Sequence, residues 1–186
     1  MTLVEAAGPE VHWQKNMPQR ILLKAVVNND PPFVLATRKY VGELIQACFD
    51  AANTSYSERL ANAAAELLEN AQKYSPVGSD LTIKLIRAPS ELILRISNFL
   101  REEAQAVLRS IRREIRAVWA SADAREIFRK KVLASLADPK AKAMLGYAKI
   151  RMETGGRVRA RLSGGGKLDV SLSLPLVPEW QPQTVS

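Results

Sequence analysis

The sequence predicts a two-layer α/β sandwich, a mixed and mostly antiparallel sheet with helices on one face. Three patterns predict it. Two stretches alternate apolar and polar residues on either side of a short turn, as β-hairpins do. Segments of helical periodicity lie before and between them. Each hairpin strand has one polar side, so one sheet face is expected to be solvated and the other covered by helices.

In chain order, residues 1 to 19 show no period and contain Gly8, Pro9 and Pro18, which reads as a loosely held arm. Ile21, Leu22, Leu23, Ala25, Val26 and Val27 form an apolar run ended by Asn28-Asn29-Asp30-Pro31-Pro32, a strand leaving into a turn. From about Phe33 to Ala52 the apolar positions Leu35, Tyr40, Val41, Leu44, Ile45 and Phe49 have helical spacing. Asn53-Thr54-Ser55 breaks the pattern, and Ser55 or Ser57 is expected to cap a second helix, which Pro76 and Gly78 end. Leu81, Ile83 and Leu85 then alternate with Thr82 and Lys84, and after Ala88-Pro89-Ser90 the pattern resumes through Leu92, Leu94 and Ile96. The later hairpin runs through Val158, Ala160 and Leu162, turns at Gly164-Gly165-Gly166, and returns through Leu168, Val170, Leu172 and Leu174. Between the hairpins, Val107, Leu108, Ile111, Ile115, Val118 and Trp119 make one apolar stripe. A further helix is expected from about Ala122 to Leu136, and Asp138-Pro139 starts another toward Met152. The expected domain spans residues 20 to 177, with residues 178 to 186 as a tail.

Composition narrows the function classes. The 186 residues suit one domain, and 47% apolar with 25% charged residues is ordinary for a globular chain. No apolar run approaches the roughly 18 residues of a membrane span, and no signal-peptide pattern opens the chain, so the cytoplasm is the expected location. Cys48 and His12 are each the only residue of their type. That removes intrachain disulfides, thiolate metal clusters, histidine zinc sites and serine–histidine triads. A net charge of +8 points toward an acidic partner, but no nucleic-acid motif accompanies it and aromatics are only 6%.

The richest stretch is AELLENAQKYSP, Ala65 to Pro76. At 3.6 residues per turn, Asn62, Glu66, Glu69, Asn70 and Lys73 share a polar side, opposite Leu60, Ala63, Ala64, Leu67, Leu68 and Ala71. A carboxylate, an amide oxygen and an ammonium on one stripe suit a metal-bound phosphate, since Mg²⁺ takes hard oxygen ligands. By periodicity alone, the stripe is equally the wet face of an amphipathic helix.

The full string, followed by a strand, resembles the asparagine box of the GHKL superfamily, which groups the ATPase domains of gyrase, Hsp-type chaperones, histidine kinases and MutL. The resemblance implies Mg-ATP as cofactor, Asn70 as metal ligand, Glu66 as the base polarising water or a hydroxyl, and Lys73 as a phosphate contact. The element order resembles that ATPase domain over residues 20 to 177. In length it is nearest the stand-alone anti-sigma-factor serine kinases and the small bacterial SiaB-like signalling proteins. No phospho-accepting helix carrying His is present, so a complete sensor histidine kinase is not expected.

The pattern then departs from the family. Relatives place Asp-x-Gly-x-Gly where this chain reads Asn98-Phe99-Leu100-Arg101. Asn98 retains an amide oxygen that accepts a hydrogen bond, but the glycines are missing, and Phe99 and Leu100 are expected to crowd a purine. A helical stretch from Glu102 to Leu136 replaces the glycine-rich lid. Only Leu145-Gly146-Tyr147 and Gly155-Gly156 resemble the later glycine box, and short glycine pairs also serve as plain helix-end turns. The implied site is degenerate, with Asn70, Lys73, Asn98 and Gly146 as its remaining cofactor positions.

The substituted lid is the expected partner surface. Arg101 to Lys131 carries nine Lys or Arg against five Asp or Glu, with Arg109, Arg112, Arg113 and Arg116 close together. They fit either a solvated face or an acidic regulatory protein, and the row Arg157, Arg159, Arg161 is a second such surface. The stripe around Trp119 fits the domain's own core or a homodimer seam. Three functions follow: a signalling protein acting by protein–protein interaction with weak or lost ATP binding, an active Mg-ATP-dependent serine/threonine protein kinase of the anti-sigma type, and, least supported, a nucleic-acid binder.

Overall fold

Period-two alternation in four of the five strands sets the layering of the domain. The structure, a computed structural model, describes residues 19–30, 34–49, 54–101, 103–137 and 145–176. Its elements are β1 (Arg20–Asn28), α1 (Val34–Ala47), α2 (Thr54–Tyr74), β2 (Asp80–Arg87), β3 (Glu91–Phe99), α3 (Ala104–Ala120), α4 (Ala124–Ala137), α5 (Leu145–Thr154), β4 (Arg157–Ser163) and β5 (Lys167–Pro175). The five strands form one sheet in the order β1-β2-β3-β5-β4, and all four pairings are antiparallel. Both expected hairpins are present, and helices cover one face. Residues 1–18 of the expected arm, the whole tail and the Asp138-Pro139 helix start lie outside the described residues.

On the covered face, Leu81, Ile83 and Leu85 of β2, Leu92, Leu94 and Ile96 of β3, and Leu168, Leu172 and Leu174 of β5 are almost fully buried. They meet Leu60, Ala63, Ala64, Leu67, Leu68 and Ala71, the side of α2 that its sequence period marks as apolar. The alanines keep this helix close to the sheet. α1 packs on α2 through Val41 and Ile45. Tyr40 departs from the expected pattern: it is 54% exposed, because the apolar arc of α1 is narrow and Val41 and Ile45 fill it. The first helix also ends earlier than expected, at Ala47, with buried Phe49 just beyond it.

α2 begins at Thr54, so neither Ser55 nor Ser57 is its cap; Ser57 is buried inside the first turn and its Oγ donates to the Thr54 carbonyl at 2.9 Å. The C-terminal end is closed more elaborately. The buried Asn29 side chain donates from Nδ2 toward the carbonyls of Gln72, Ser75 and Pro76, at 3.2, 3.2 and 3.0 Å. From the end of β3, the Arg101 amide donates to the Tyr74 carbonyl at 2.8 Å and its guanidinium to that of Ser75 at 2.9 Å. The last carbonyls of a helix have no partners of their own, and here two sheet strands supply them.

The apolar stripe of α3 completes the domain's own core: Val107, Leu108, Ile111 and Val118 are buried. Trp119 is half-buried and donates from Nε1 to the Gly156 carbonyl at 3.2 Å. Arg151 of α5 donates to the carbonyls of Val118 and Ser121 and lies 5.9 Å from the centre of the Trp119 ring. Asp123 caps α4, accepting from the amides of Arg125 and Glu126 at 2.8 and 3.1 Å, and these donors hold its carboxyl below the ordinary value. Gly155, at φ +63°, terminates α5, and a Cβ on Gly156 would meet Leu174 and Leu172 side-chain carbons at 2.4 and 2.6 Å. This glycine pair is therefore a helix-end turn pressed against β5.

Removing the Asn29 amide in Asn29→Ala would leave the Gln72 carbonyl without its donor at the end of α2, while Ser75 keeps the Arg101 guanidinium and Pro76 keeps Ser79. We expect a loss of about 2 kcal/mol in urea unfolding, somewhat below the roughly 3 kcal/mol expected for Leu68→Ala in the core. A loss under about 0.5 kcal/mol would show that the cap is dispensable.

Candidate functional site

The polar stripe of α2 does not face open solvent. α5 lies along it, because Tyr147, Ala148 and Ile150 must be buried and the small Gly146 allows close approach. A Cβ at Gly146 would stand 3.1 Å from Glu66 Oε2 and 3.3 Å from Asn70 Nδ2. Three of the positions expected to form a site thus meet: Glu66, Asn70 and Gly146. The fourth partner was not legible in the sequence. Lys149 of α5 donates from Nζ to Glu66 Oε1 at 2.7 Å, and that hydrogen bond raises the Lys149 ammonium above its ordinary value. Its signal in the sequence is only its place one turn after Gly146, on the same helix face.

The other stripe residues diverge. Glu69 turns to α1 and pairs with Arg38 at 3.0 Å. Lys73 is exposed, its Nζ 5.4 Å from the centre of the Tyr74 ring. Asn70 makes no hydrogen bond among the described residues. Asn98 sits at the far end of β3, paired across the sheet with Leu81 and Leu168. It is 1% exposed, donates from Nδ2 to the Phe99 carbonyl at 3.0 Å, and its Oδ1 is buried without a partner. No hydrogen bond or ion pair joins Lys73 or Asn98 to the Glu66–Asn70 group among the described residues.

The expectation that Phe99 crowds a purine is corrected. Successive side chains on a strand point to opposite faces, so Phe99 turns away from Asn98. It is 39% exposed, with Lys167 Nζ 4.6 Å above its ring. Leu100 does pack against the core.

A polar cluster that the sequence did not announce lies where α3, α4, α5 and the end of α2 converge. Tyr147 is 3% exposed and its hydroxyl has no partner; burial first, then the neighbouring Glu114 carboxylate, push that hydroxyl far above its ordinary value. Glu114 Oε1 is buried and takes no hydrogen bond, with Lys131 Nζ at 3.7 Å. Burial raises the Glu114 carboxyl against the opposite pull of Lys131 and, more weakly, Lys73.

As arranged, the described residues offer Mg-ATP few free donors. The one carboxylate on the stripe beside Asn70 that faces α5 is already held by an ammonium, leaving the Asn70 amide uncommitted beside it. Among the described residues no three His, Cys, Asp or Glu side chains gather as metal ligands. Mg²⁺ in nucleotide sites is usually held by one or two carboxylates beside the phosphates, and here the Asn70 amide oxygen is the hard oxygen left free next to a paired carboxylate.

The two candidate arginine surfaces prove to be one band. Arg109, Arg113 and Arg116 line a shallow groove on the outer side of α3. Arg112 turns instead to the sheet edge, where its Nε donates to the Ala160 carbonyl of β4 at 3.0 Å. Arg112 and Arg116 then share a second groove, of about 700 Å³, with Arg95, Arg159 and Arg161. Glu91 is the acid on its lining, and Arg161 is paired with Asp169 at 3.3 Å.

With this geometry in place, the fold has a counterpart. It is similar to a chain of the SiaB–SiaC complex. That crystal structure, from Pseudomonas aeruginosa, superposes with a TM-score of 0.54 over 83% of this chain and 90% of that one, at 16% sequence identity. At such identity the likeness concerns the fold. No protein-family model matches the sequence, and no curated protein does. No described helix is long and apolar enough to cross a membrane.

Two outcomes test the site. The Glu66–Lys149 pair is partly exposed, so a double-mutant cycle with Glu66→Gln and Lys149→Met should give a coupling of about 1 kcal/mol in urea unfolding; zero coupling would mean that the pair does not hold α5. Because folding raises the Glu114 carboxyl, its protonated form is the one folding favours. That contribution is complete below the ordinary value near pH 4.3 and is lost as pH rises through the raised value. Glu114→Gln should therefore gain stability relative to the wild type between about pH 4 and pH 7, and parallel stability curves would contradict the burial of a charge there.

Proposed function

We propose that this chain is a bacterial signal-transduction regulator built on a histidine-kinase-like ATPase scaffold, acting by protein–protein interaction with weak or lost ATP binding. The observation that carries this reading is the 2.7 Å bond between Lys149 and Glu66, made by a helix that lies along the asparagine-box stripe. The carboxylate that the family resemblance marks as the polarising base is committed to an internal ammonium. Gly146 serves as the seat of that contact. The packing of this helix between the sheet, α1 and α5 gives the string a role without a nucleotide.

The partner side of the proposal rests on the arginine band. Arg109, Arg113 and Arg116 stand exposed on a helix whose other side is buried, so they are displayed on a fixed support. Electrostatic complementarity favours an acidic regulatory protein. Arg112 has a different place in this scheme, because it ties α3 to β4 and its replacement would disturb the support itself. The likeness to a chain from a protein–protein complex is in keeping with this reading.

A second reading is favoured by one observation. Asn98 Oδ1 is a buried acceptor without a donor, and Asn70 is uncommitted. An unpaired buried acceptor is costly and suits a site that receives a ligand, which is what a Mg-ATP-dependent serine/threonine protein kinase of the anti-sigma type would need at these positions.

Calorimetric titration of ATP, with and without Mg²⁺, into wild type and Asn70→Ala separates the two. We expect no saturable heat up to about millimolar ATP, a free energy weaker than about 4 kcal/mol. Micromolar binding that requires Asn70 would overturn the first reading and install the kinase.

A further inference from the structure

We infer that the groove between α3 and the open face of β3, β5 and β4 binds an extended acidic segment of a partner polypeptide, a proposal that rests on the acidic-partner reading above and assigns it a place. The register aligns the cations. Arg95 of β3 and Arg159 of β4 are both paired with Ser171 of β5, so the two guanidinium groups flank a serine in one row across the sheet. Arg157, Arg159 and Arg161 follow at every second residue along the exposed side of β4, about 7 Å apart. That is also the spacing of alternate side chains in an extended peptide, so carboxylates on such a segment meet the guanidinium groups of Arg157 and Arg159 in turn, while Arg161 is already paired with Asp169. Arg112 and Arg116 close the groove from α3.

The apolar part of the lining is Ile93 on the open face, beside the hydroxyls of Ser171 and Ser173, and Ile115 and Val158 where the groove turns over edge strand β4 toward α3. A cationic rim beside these apolar positions fits carboxylates alternating with apolar residues. Guanidinium groups bind carboxylates in a planar, two-bond fork, which gives geometry as well as attraction. Arg112 already satisfies the edge carbonyl of Ala160, so the segment is held by side chains rather than by adding a strand at that position. The lining contains no aromatic residue, which removes the stacking platform a single-stranded nucleic acid uses.

The test is fluorescence anisotropy with a labelled peptide of about eight residues, the length of a typical strand, alternating glutamate with leucine, beside the same peptide with glutamine for glutamate and a labelled single-stranded RNA of equal charge. Wild type should bind the glutamate peptide at low salt at least about tenfold more tightly than either control. Arg95→Glu with Arg159→Glu should lose about tenfold or more, whereas Arg109→Glu with Arg113→Glu should stay within about threefold. Thermal melts check folding, and Arg159→Ala with Arg95→Gln replaces the reversal pair if it does not fold. Equal or larger loss in the Arg109 and Arg113 variant would overturn the groove and leave an acidic partner read by the outer face of α3. No binding of the glutamate peptide by wild type would overturn the groove proposal outright, and tighter RNA binding would overturn both the groove and the acidic partner.

Discussion

The domain is organised around the closure of α2. This helix is buried along its apolar side by the sheet, contacted by α1 and α5 on its flanks, and finished at its C-terminus by Asn29 and Arg101 from two strands. Carbonyls at a helix end that face protein rather than water must find donors. Because these donors sit at the ends of β1 and β3, capping the helix also sets where both strands stop. The same residues therefore fix helix position and sheet length together. Little in the fold could shift without opening that end.

The polar stripe of α2 is absorbed into the same task. Glu69 reaches α1 through Arg38, and Glu66 reaches α5 through Lys149. Ion pairs of this partly exposed kind contribute modestly to stability, but they choose orientation, since each ties a flanking helix to one turn of α2. A surface that suits phosphate chemistry when read along one helix becomes, with its neighbours in place, the inner side of two helix contacts. Asn70 and Asn98 are the positions left over. One is uncommitted and the other is buried with an open acceptor.

The helices between the two hairpins divide their charges by direction. α3 is strongly two-sided: Val107, Leu108, Ile111 and Val118 join the core while the arginines point away. Arg112 belongs to the fold as well as to the surface, because it satisfies a carbonyl on edge strand β4 that would otherwise invite pairing. Its neighbours one position on, and one turn before and after, are free of that duty. The basic character of the chain is thus concentrated by architecture into a band from the outer side of α3 to the open sheet.

The sandwich, both hairpins, the second helix and its apolar side were legible in the sequence, because period-two and period-3.6 patterns record which side of each element is dry. The meeting of Glu66, Asn70 and Gly146 was partly legible: helical spacing puts Glu66 and Asn70 on one face, but only the family resemblance drew in Gly146. Tyr40 misled because an apolar residue at helical spacing can still fall outside a narrow buried arc, and Phe99 because sequence adjacency to Asn98 hides its opposite orientation. Lys149, the Tyr147–Glu114 cluster and the union of Arg95, Arg112 and Arg159 into one groove were decided only by the tertiary structure. Local periodicity determines which face of an element is buried, but contacts between residues 83 or 48 positions apart depend on how the elements pack, and that information is held by no single segment.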